Sequence, residues 1–204
     1  MTDDLAARRR QLRDQMRQRR HDLPPARRIA GADALAEHLL GLPFAPDNGY
    51  VAGYWAMDGE IALHSWQLNL PPDCVYCLPV LNGERLAFGP WRPGDALASN
   101  RYGIPEPDLA TASLLCPEDM AMVVLPLVAF DLHGARLGMG GGWYDRSFAF
   151  RRTRPARPWL VGAAFELQQV DKLETAEWDV PLDAVCSDTQ AHQFQTPEML
   201  PKTE

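Results

Sequence analysis

Along the chain, stretches with apolar residues every third or fourth position alternate with short runs that are apolar throughout. Residues 4–20 are of the first kind. Leu5, Leu12 and Met16 make a thin apolar stripe, and Arg9, Arg13 and Arg17 recur every fourth residue on one face, which predicts a basic N-terminal helix. Asp22-Leu23-Pro24-Pro25 then gives a stop and a fresh start, because proline is tolerated in a helix's first turn. Ile29, Ala32, Ala36 and Leu39 carry a second helix to about Leu40. Tyr50 to Trp55 predicts a first strand, a short helical piece follows Glu60 to about Leu68, and Val75 to Leu81 is a second apolar run. Residues 82–107 are rich in Gly and Pro and predict hairpins and loops. Met120 to Phe130, the most hydrophobic stretch, predicts a strand buried on both faces. A helix from Trp143 to about Arg152 and strands at Trp159–Phe165 and Ala184–Ser187 complete the pattern. Strands separated by helical segments favour a layered α/β domain with a mainly parallel sheet.

Charge changes this picture more than bulk composition does. The 204 residues carry a net charge of −7, yet residues 1–28 hold nine arginines against four aspartates, a net +5 that leaves −12 on the rest. A basic arm on an acidic body fits either nucleic acid or a few arginines for a phosphorylated small molecule, and the body's charge argues against broad adhesion to nucleic acid. No apolar run approaches the roughly 20 residues of a membrane-spanning helix. The N-terminus reads as neither a secretory signal nor a transit peptide, so the cytoplasm is the expected location. Cys74-Val-Tyr-Cys77 has the spacing of half a zinc knuckle, but there is no second pair, so reduced thiols in a strand are expected. None of the five histidines forms a ligand pair or sits in a motif.

The densest chemistry lies in RLGMGGGWYDR, residues 136–146, which follows a buried strand and a tight turn at Asp131 to Gly134. Ligands in open α/β sheets collect beyond the carboxyl ends of strands. Glycines let consecutive N–H groups converge on one anion, and a following helix start adds partial positive charge. Arg136 and Arg146 would flank the site, and Asp145 is placed to hold a magnesium ion beside phosphates. On local evidence the loop reads equally as a structural turn. G-x-G-x-x-G fails at Trp143, and the Walker pattern fails for want of a lysine.

LPLVAFDLHGARLGMGGGWYDR, residues 125–146, strongly resembles the signature of the 5-formyltetrahydrofolate cyclo-ligase (methenyltetrahydrofolate synthetase) family. RRRQLRDQMRQRR, YWAMDGEI, NRYGIPEP and EWDVPLDAV resemble further family segments in the expected order. The resemblance implies a three-layer Rossmann-like α/β fold, one domain over residues 1–204, with the basic helix at its N-terminus. It also implies an ATP- and Mg2+-dependent enzyme that converts 5-formyltetrahydrofolate to 5,10-methenyltetrahydrofolate through an N5 iminium phosphate, releasing ADP and phosphate. The implied partners are those two small molecules alone, with no nucleic acid or membrane, and a monomer is expected.

Carried over by position, Arg9 and Arg13 match residues that hold ATP phosphates. Arg136, Leu137, Gly138, Met139, Gly140, Gly141, Gly142, Trp143 and Tyr144 match the nucleotide loop, of which Met139 to Trp143 also line the folate side. Asp145 and Asp179 match the magnesium carboxylates, and Arg136, Tyr144 and Asp145 are the implied catalytic group. Trp55 and Glu60 match substrate positions, with Glu60 accepting from the pterin N–H groups; Met57 between them reads equally as pocket or core, and Tyr102 falls where the family carries an aromatic suited to stacking on a flat pterin. Arg9 stands where many members have lysine, Trp143 replaces the first tyrosine of the usual pair, and Gly141 lacks a basic side chain that some members carry. A relative of the same fold acting on another pterin-like or formylated substrate is the alternative within enzymes. A nucleic-acid-binding protein using the arginine helix is the alternative outside them.

Overall fold

A computed structural model of the chain describes residues 2–153 and 157–194. The elements run α1 (Thr2–His21), α2 (Pro25–Leu40), β1 (Asn48–Ala52), α3 (His64–Leu68), β2 (Asp73–Asn82) and β3 (Arg85–Pro90). They continue with β4 (Leu97–Ser99), β5 (Pro105–Pro107), β6 (Met120–Pro126), β7 (Ala129–Phe130) and β8 (Arg136–Leu137). Last come α4 (Trp143–Ser147), β9 (Trp159–Ala163), β10 (Ala184–Cys186) and β11 (Ala191–Gln193). Seven strands form the central sheet in the order β11-β10-β9-β6-β1-β2-β3. The four inner pairings are parallel, and antiparallel strands close both edges. The expected α/β architecture with a mainly parallel sheet is therefore the one observed.

Alternation along the inner strands sends side chains to two faces. Val51, Met122, Val124, Val161 and Ala163 meet Leu35, Ala36 and Leu39 of α2 and Trp66 of α3. Ala52, Val123, Leu125, Leu160 and Val185 pack on the other side with Phe148 at the end of α4, Phe130 and Leu182. Because both faces are covered, the inner strands read as continuous apolar runs. Cys74 packs with the first cluster and Cys77 with the second, as a spacing of three on a strand requires; all four cysteines are free thiols and Cys116 is exposed. Among the described residues no helix is long and apolar enough to cross a membrane.

Several boundaries differ from expectation for local reasons. The run from Met120 does not continue as one strand to Phe130. Its neighbour β9 ends at Ala163, opposite Pro126, and the carbonyls of Leu127 and Val128 are taken instead by the Gln168 side-chain amide. The chain then forms the small β7–β8 ribbon, whose turn is held by the buried Asp131, accepting from His133 and Ala135 N–H. The first strand stops at Ala52, which frees Tyr54 and Trp55 to enter a loop. The helix after the glycines is only the five-residue α4, followed by a 3-10 turn at Ala149–Arg152, so its dipole is much smaller than a three-turn helix would give. In α2 the buried stripe is Ala32, Leu35, Ala36 and Leu39, while Ile29 faces outward.

Helix α1 belongs to neither layer. Leu12 and the buried Met16 pack on Val128, Ala129, Leu137 and Leu173, against the β7–β8 ribbon beyond the end of β6. That docking carries the arginine face of α1 to the glycine loop.

Candidate active site

A cavity of about 650 Å3 opens at this junction. Every residue assigned to a site by the resemblance lines it: Arg9, Arg13, Trp55 and Glu60, the run Arg136 to Asp145, and Asp179. Met57 and Tyr102 do too. Arg146 does not. It lies behind the loop, donating to the carbonyls of Glu84 and Gly141, with its guanidinium 4.8 Å from the Trp143 ring centroid. It braces the loop from outside rather than supplying charge inside.

The loop's shape depends on two glycines. Gly140 (φ 96) and Gly142 (φ 65) adopt left-handed conformations that side chains disfavour, and a Cβ on Gly140 would meet the Arg13 guanidinium at 3.4 Å. Arg13 Nε donates to the Gly138 carbonyl at 2.8 Å, so helix α1 and the loop form one wall. Burial, then the neighbouring Arg9 and Arg10, push the Arg13 guanidinium below its ordinary value. An anion in the cavity would relieve that cost.

Two further arginines are paired with carboxylates. Arg136 Nη2 lies 2.6 Å from Asp145 Oδ1, its Nη1 donates to the Val180 carbonyl, and Val180 N–H donates to the same Asp145 oxygen. Arg9 Nη2 donates to Asp179 Oδ2 at 2.9 Å and to the Glu174 carbonyl, and Ala176 N–H also reaches Asp179 Oδ2. These bonds use one oxygen of each aspartate. Asp145 Oδ2 and Asp179 Oδ1 receive none from the described residues, and both aspartates line a cavity with room for water and phosphate oxygens. That donor set fits magnesium, which takes one or two carboxylates and completes its shell with solvent and substrate. No group of three or more His, Cys, Asp or Glu side chains gathers as a metal cage among the described residues.

The other half of the cavity rests on the turn Met57-Asp58-Gly59-Glu60. Asp58 (φ 51) and Gly59 (φ 72) both lie in the left-handed region, and Glu60 N–H donates to the Met57 carbonyl. Asp58 supports its strained backbone by serving as a hub for α1. Its carboxylate accepts from Arg17 at 2.6 Å, from Arg20 at 3.1 Å and lies 2.7 Å from His21 Nε2, while its carbonyl takes two bonds from the buried Arg20. The bond from Arg17 is the main cause that holds Asp58 down at about 2. Arg17 therefore anchors the turn and does not join Arg9 and Arg13 at the cavity, a division that helical spacing alone does not show.

The turn aims Glu60 into the cavity, with Oε2 accepting from Met57 N–H at 2.9 Å. Burial raises the Glu60 carboxyl to about 7, against the partial relief of that bond and of Arg20. Tyr54 and Tyr144 also line the cavity, and burial followed by the Glu60 charge raises both phenols, so their hydroxyls stay protonated. Asp58, Tyr54, Glu106 and Trp178 are cavity residues to which the sequence reading gave no role, although each lies in a segment that resembles the family. Met57, Tyr102, Met139 and Trp178 give the mouth an exposed apolar rim.

The model of the 5-formyltetrahydrofolate cyclo-ligase family matches residues 5–188. The 5-formyltetrahydrofolate cyclo-ligase of Haemophilus influenzae is 35% identical over 182 residues, which cover 85% of this chain and 94% of that protein. The enzyme of the same name from Escherichia coli K12 is 35% identical over 184 residues, 88% of this chain and all of that one. Among solved structures, the Aquifex aeolicus 5,10-methenyltetrahydrofolate synthetase superposes with a TM-score of 0.77 at 26% identity, covering 96% of this chain and 97% of that one. The Mycoplasma pneumoniae 5,10-methenyltetrahydrofolate synthetase shares the fold at a TM-score of 0.66 and 22% identity, covering 88% and 98%.

Proposed function

This chain belongs to the 5-formyltetrahydrofolate cyclo-ligase family, and from that premise we propose that it cyclises 5-formyltetrahydrofolate to 5,10-methenyltetrahydrofolate at the expense of ATP. The observation that carries the reading is the convergence of the family-matched positions, drawn from α1, the β1–α3 loop, the β8–α4 loop and Asp179, on one cavity. In the proposed reaction the formyl oxygen attacks the γ-phosphorus and ADP leaves with the bridging oxygen. The resulting N5 iminium carries the phosphate on its former formyl oxygen. N10 adds to that carbon and closes the five-membered ring, its proton is lost, and departure of phosphate leaves the conjugated methenyl bridge. Such a sequence asks for alignment and charge neutralisation rather than a protein nucleophile.

Arg9, Arg13 and Arg136 are assigned to the phosphates, with N–H groups of the 138–142 loop closing around them. Asp145 and Asp179 would hold Mg2+, which when bound spreads the negative charge of the phosphate oxygens. Tyr144, kept protonated by burial, can donate to an oxygen that gains charge. Glu60 would accept the pterin N–H groups, and the Trp55, Tyr102 and Trp143 rings offer flat faces for the fused rings. The reading extends to a monomeric enzyme of the cytoplasm with neither nucleic acid nor membrane among its partners. The test is the near-ultraviolet absorbance of the methenyl product with purified protein, 5-formyltetrahydrofolate, ATP and Mg2+. Product that forms only when all three are supplied is the expected result. No product from a protein that still binds ATP would move the substrate to another pterin or formylated amine.

A further inference from the structure

The cavity's three arginines are already engaged: Arg9 with Asp179, Arg13 with a loop carbonyl and Arg136 with Asp145. Arg101 does not line the cavity itself, but it lies between two residues that do, Asn100 and Tyr102, and its circumstances differ. It is exposed, and among the described residues no carboxylate forms an ion pair with it. Aromatic rings hold it instead. Its guanidinium carbon lies 5.2 Å from the Tyr102 ring centroid and 5.1 Å from that of Trp143, and those two cavity-lining rings meet edge to face at 6.3 Å. Stacking on rings leaves the N–H edges of a guanidinium unused, and those edges match a carboxylate.

The backbone that presents Arg101 is well fixed for so exposed a position. Asn100 Oδ1 accepts from Tyr102 and Ile104 N–H, and Gly103 (φ 74) closes the turn with its N–H on the Asn100 carbonyl. Glu106 Oε1 ties this ribbon to the main sheet by accepting from Asn100 Nδ2 and from Leu81 N–H of β2. Arg101 is thus a preorganised cation beside the rings proposed for the folate, on a β4–β5 wall separate from α1 and the arginines assigned to phosphate.

The substrate supplies a matching group. Resting on the 5-formyltetrahydrofolate reading, one end of the molecule is an uncharged pterin and the other a glutamate with two carboxylates. The arginines that line the cavity are engaged with Asp179, Asp145 and a loop carbonyl and are assigned to the phosphates, which leaves Arg101, with no ion pair among the described residues, as the cation open to a dianionic tail. We infer that Arg101 binds a carboxylate of the substrate's glutamate tail at the cavity mouth, with the Tyr102 and Trp143 rings fixing the guanidinium.

The experiment compares wild type with Arg101→Ala on two substrates: 5-formyltetrahydrofolate, and its analogue cut back to a primary amide at the benzoyl carbonyl, which lacks both glutamate carboxylates. An exposed charge-assisted pair predicts that Arg101→Ala raises KM for the natural substrate about three- to tenfold. The KM for ATP and kcat stay at wild-type values, which also shows that the variant folds. On the neutral analogue the two proteins have the same KM, and Arg101→Lys falls between wild type and Arg101→Ala on the natural substrate. An equal KM increase on both substrates, or none on either, overturns the inference while leaving the cyclo-ligase reading intact. An increase confined to the KM for ATP overturns it by moving Arg101 to the nucleotide. Wild type inert on both compounds overturns the cyclo-ligase reading and the inference with it.

Discussion

Glu60 ties the proposed chemistry to a measurable cost in the free protein. Its carboxyl is moved from an ordinary 4.5 to about 7, chiefly by burial. Between those values the folded chain keeps a proton that the unfolded chain has released, so each pH unit favours unfolding by about 1.4 kcal/mol. Stability assigned to this group is therefore highest below 4.5, falls as pH rises towards 7 and is constant above it, a total loss of about 3 kcal/mol. Replacing Glu60 with Gln keeps the shape and an acceptor for Met57 N–H but removes the titration. The variant should melt with wild type at pH 4 and about 6–12 °C above it at pH 8, given about 2–4 °C per kcal/mol for a chain of this size. Asp58, the other carboxylate that acts on Glu60, sits at about 2 and does not titrate in that window. Thermal unfolding followed by circular dichroism from pH 4 to 8, without ligand, reads the difference directly. Melting curves that stay parallel across the window would refute the argument. So would a variant less stable than wild type at pH 8. On the proposed reading the gain reverses in function: pterin N–H donors repay the buried charge, and Glu60→Gln raises KM for 5-formyltetrahydrofolate by tens of fold.

Arg13→Ala removes the cation that burial makes most ready for an anion, and should raise KM for ATP about 10- to 100-fold with little change for the folate, measured by titrating each in the methenyl assay. Asp179→Asn should raise the Mg2+ concentration giving half-maximal rate; a rate curve that does not move with Mg2+ would remove the metal assignment. Asp183→Ala lies away from the cavity. It withdraws the carboxylate that binds Arg151 at 2.7 Å and accepts Leu160 N–H, both in the buried interior, and should cost about 3 kcal/mol in urea unfolding while the KM values stay unchanged.

The inner strands were legible because a strand covered on both faces must be apolar at every position, which leaves an unmistakable run at Met120–Pro126 and Trp159–Ala163. Edge strand β11 was not, since Ala191-His192-Gln193 has no apolar pattern and exists through pairing with β10. The same contrast holds in the cavity. Loop residues 136–145 are contiguous, so a signature carries them together. Asp58 has no local mark: its meaning comes from Arg17, Arg20 and His21, some forty residues earlier, closing on one left-handed turn. Arg146 was misread for a related reason, and helical spacing alone did not separate Arg17 from Arg9 and Arg13. Periodicity and proximity place a charge on a face or beside a loop, but the carboxylate or carbonyl it finds decides whether it holds ligand or protein.

Paired charges also suggest why this cavity can stand empty in water. Arg136 with Asp145 and Arg9 with Asp179 neutralise one another, and each pair spends one carboxylate oxygen and part of one guanidinium. A cavity holding only the arginines would carry a concentrated positive charge, and one holding only the aspartates the reverse; either would cost stability in a partly dehydrated space. On the proposed assignment a triphosphate and its magnesium ion enter as the same two kinds of charge. The anion would meet the remaining donors of Arg9, Arg136 and Arg13, while the cation would be held by Asp145 and Asp179. Neither pair has to break for this to happen, so binding is not charged the price of separating buried ions. The consequence is directional: removing one aspartate should disturb phosphate binding as well as the metal, because its arginine loses the bond that aims it. Asp179→Asn is the variant in which that coupling is read, as a change in the KM for ATP at saturating Mg2+.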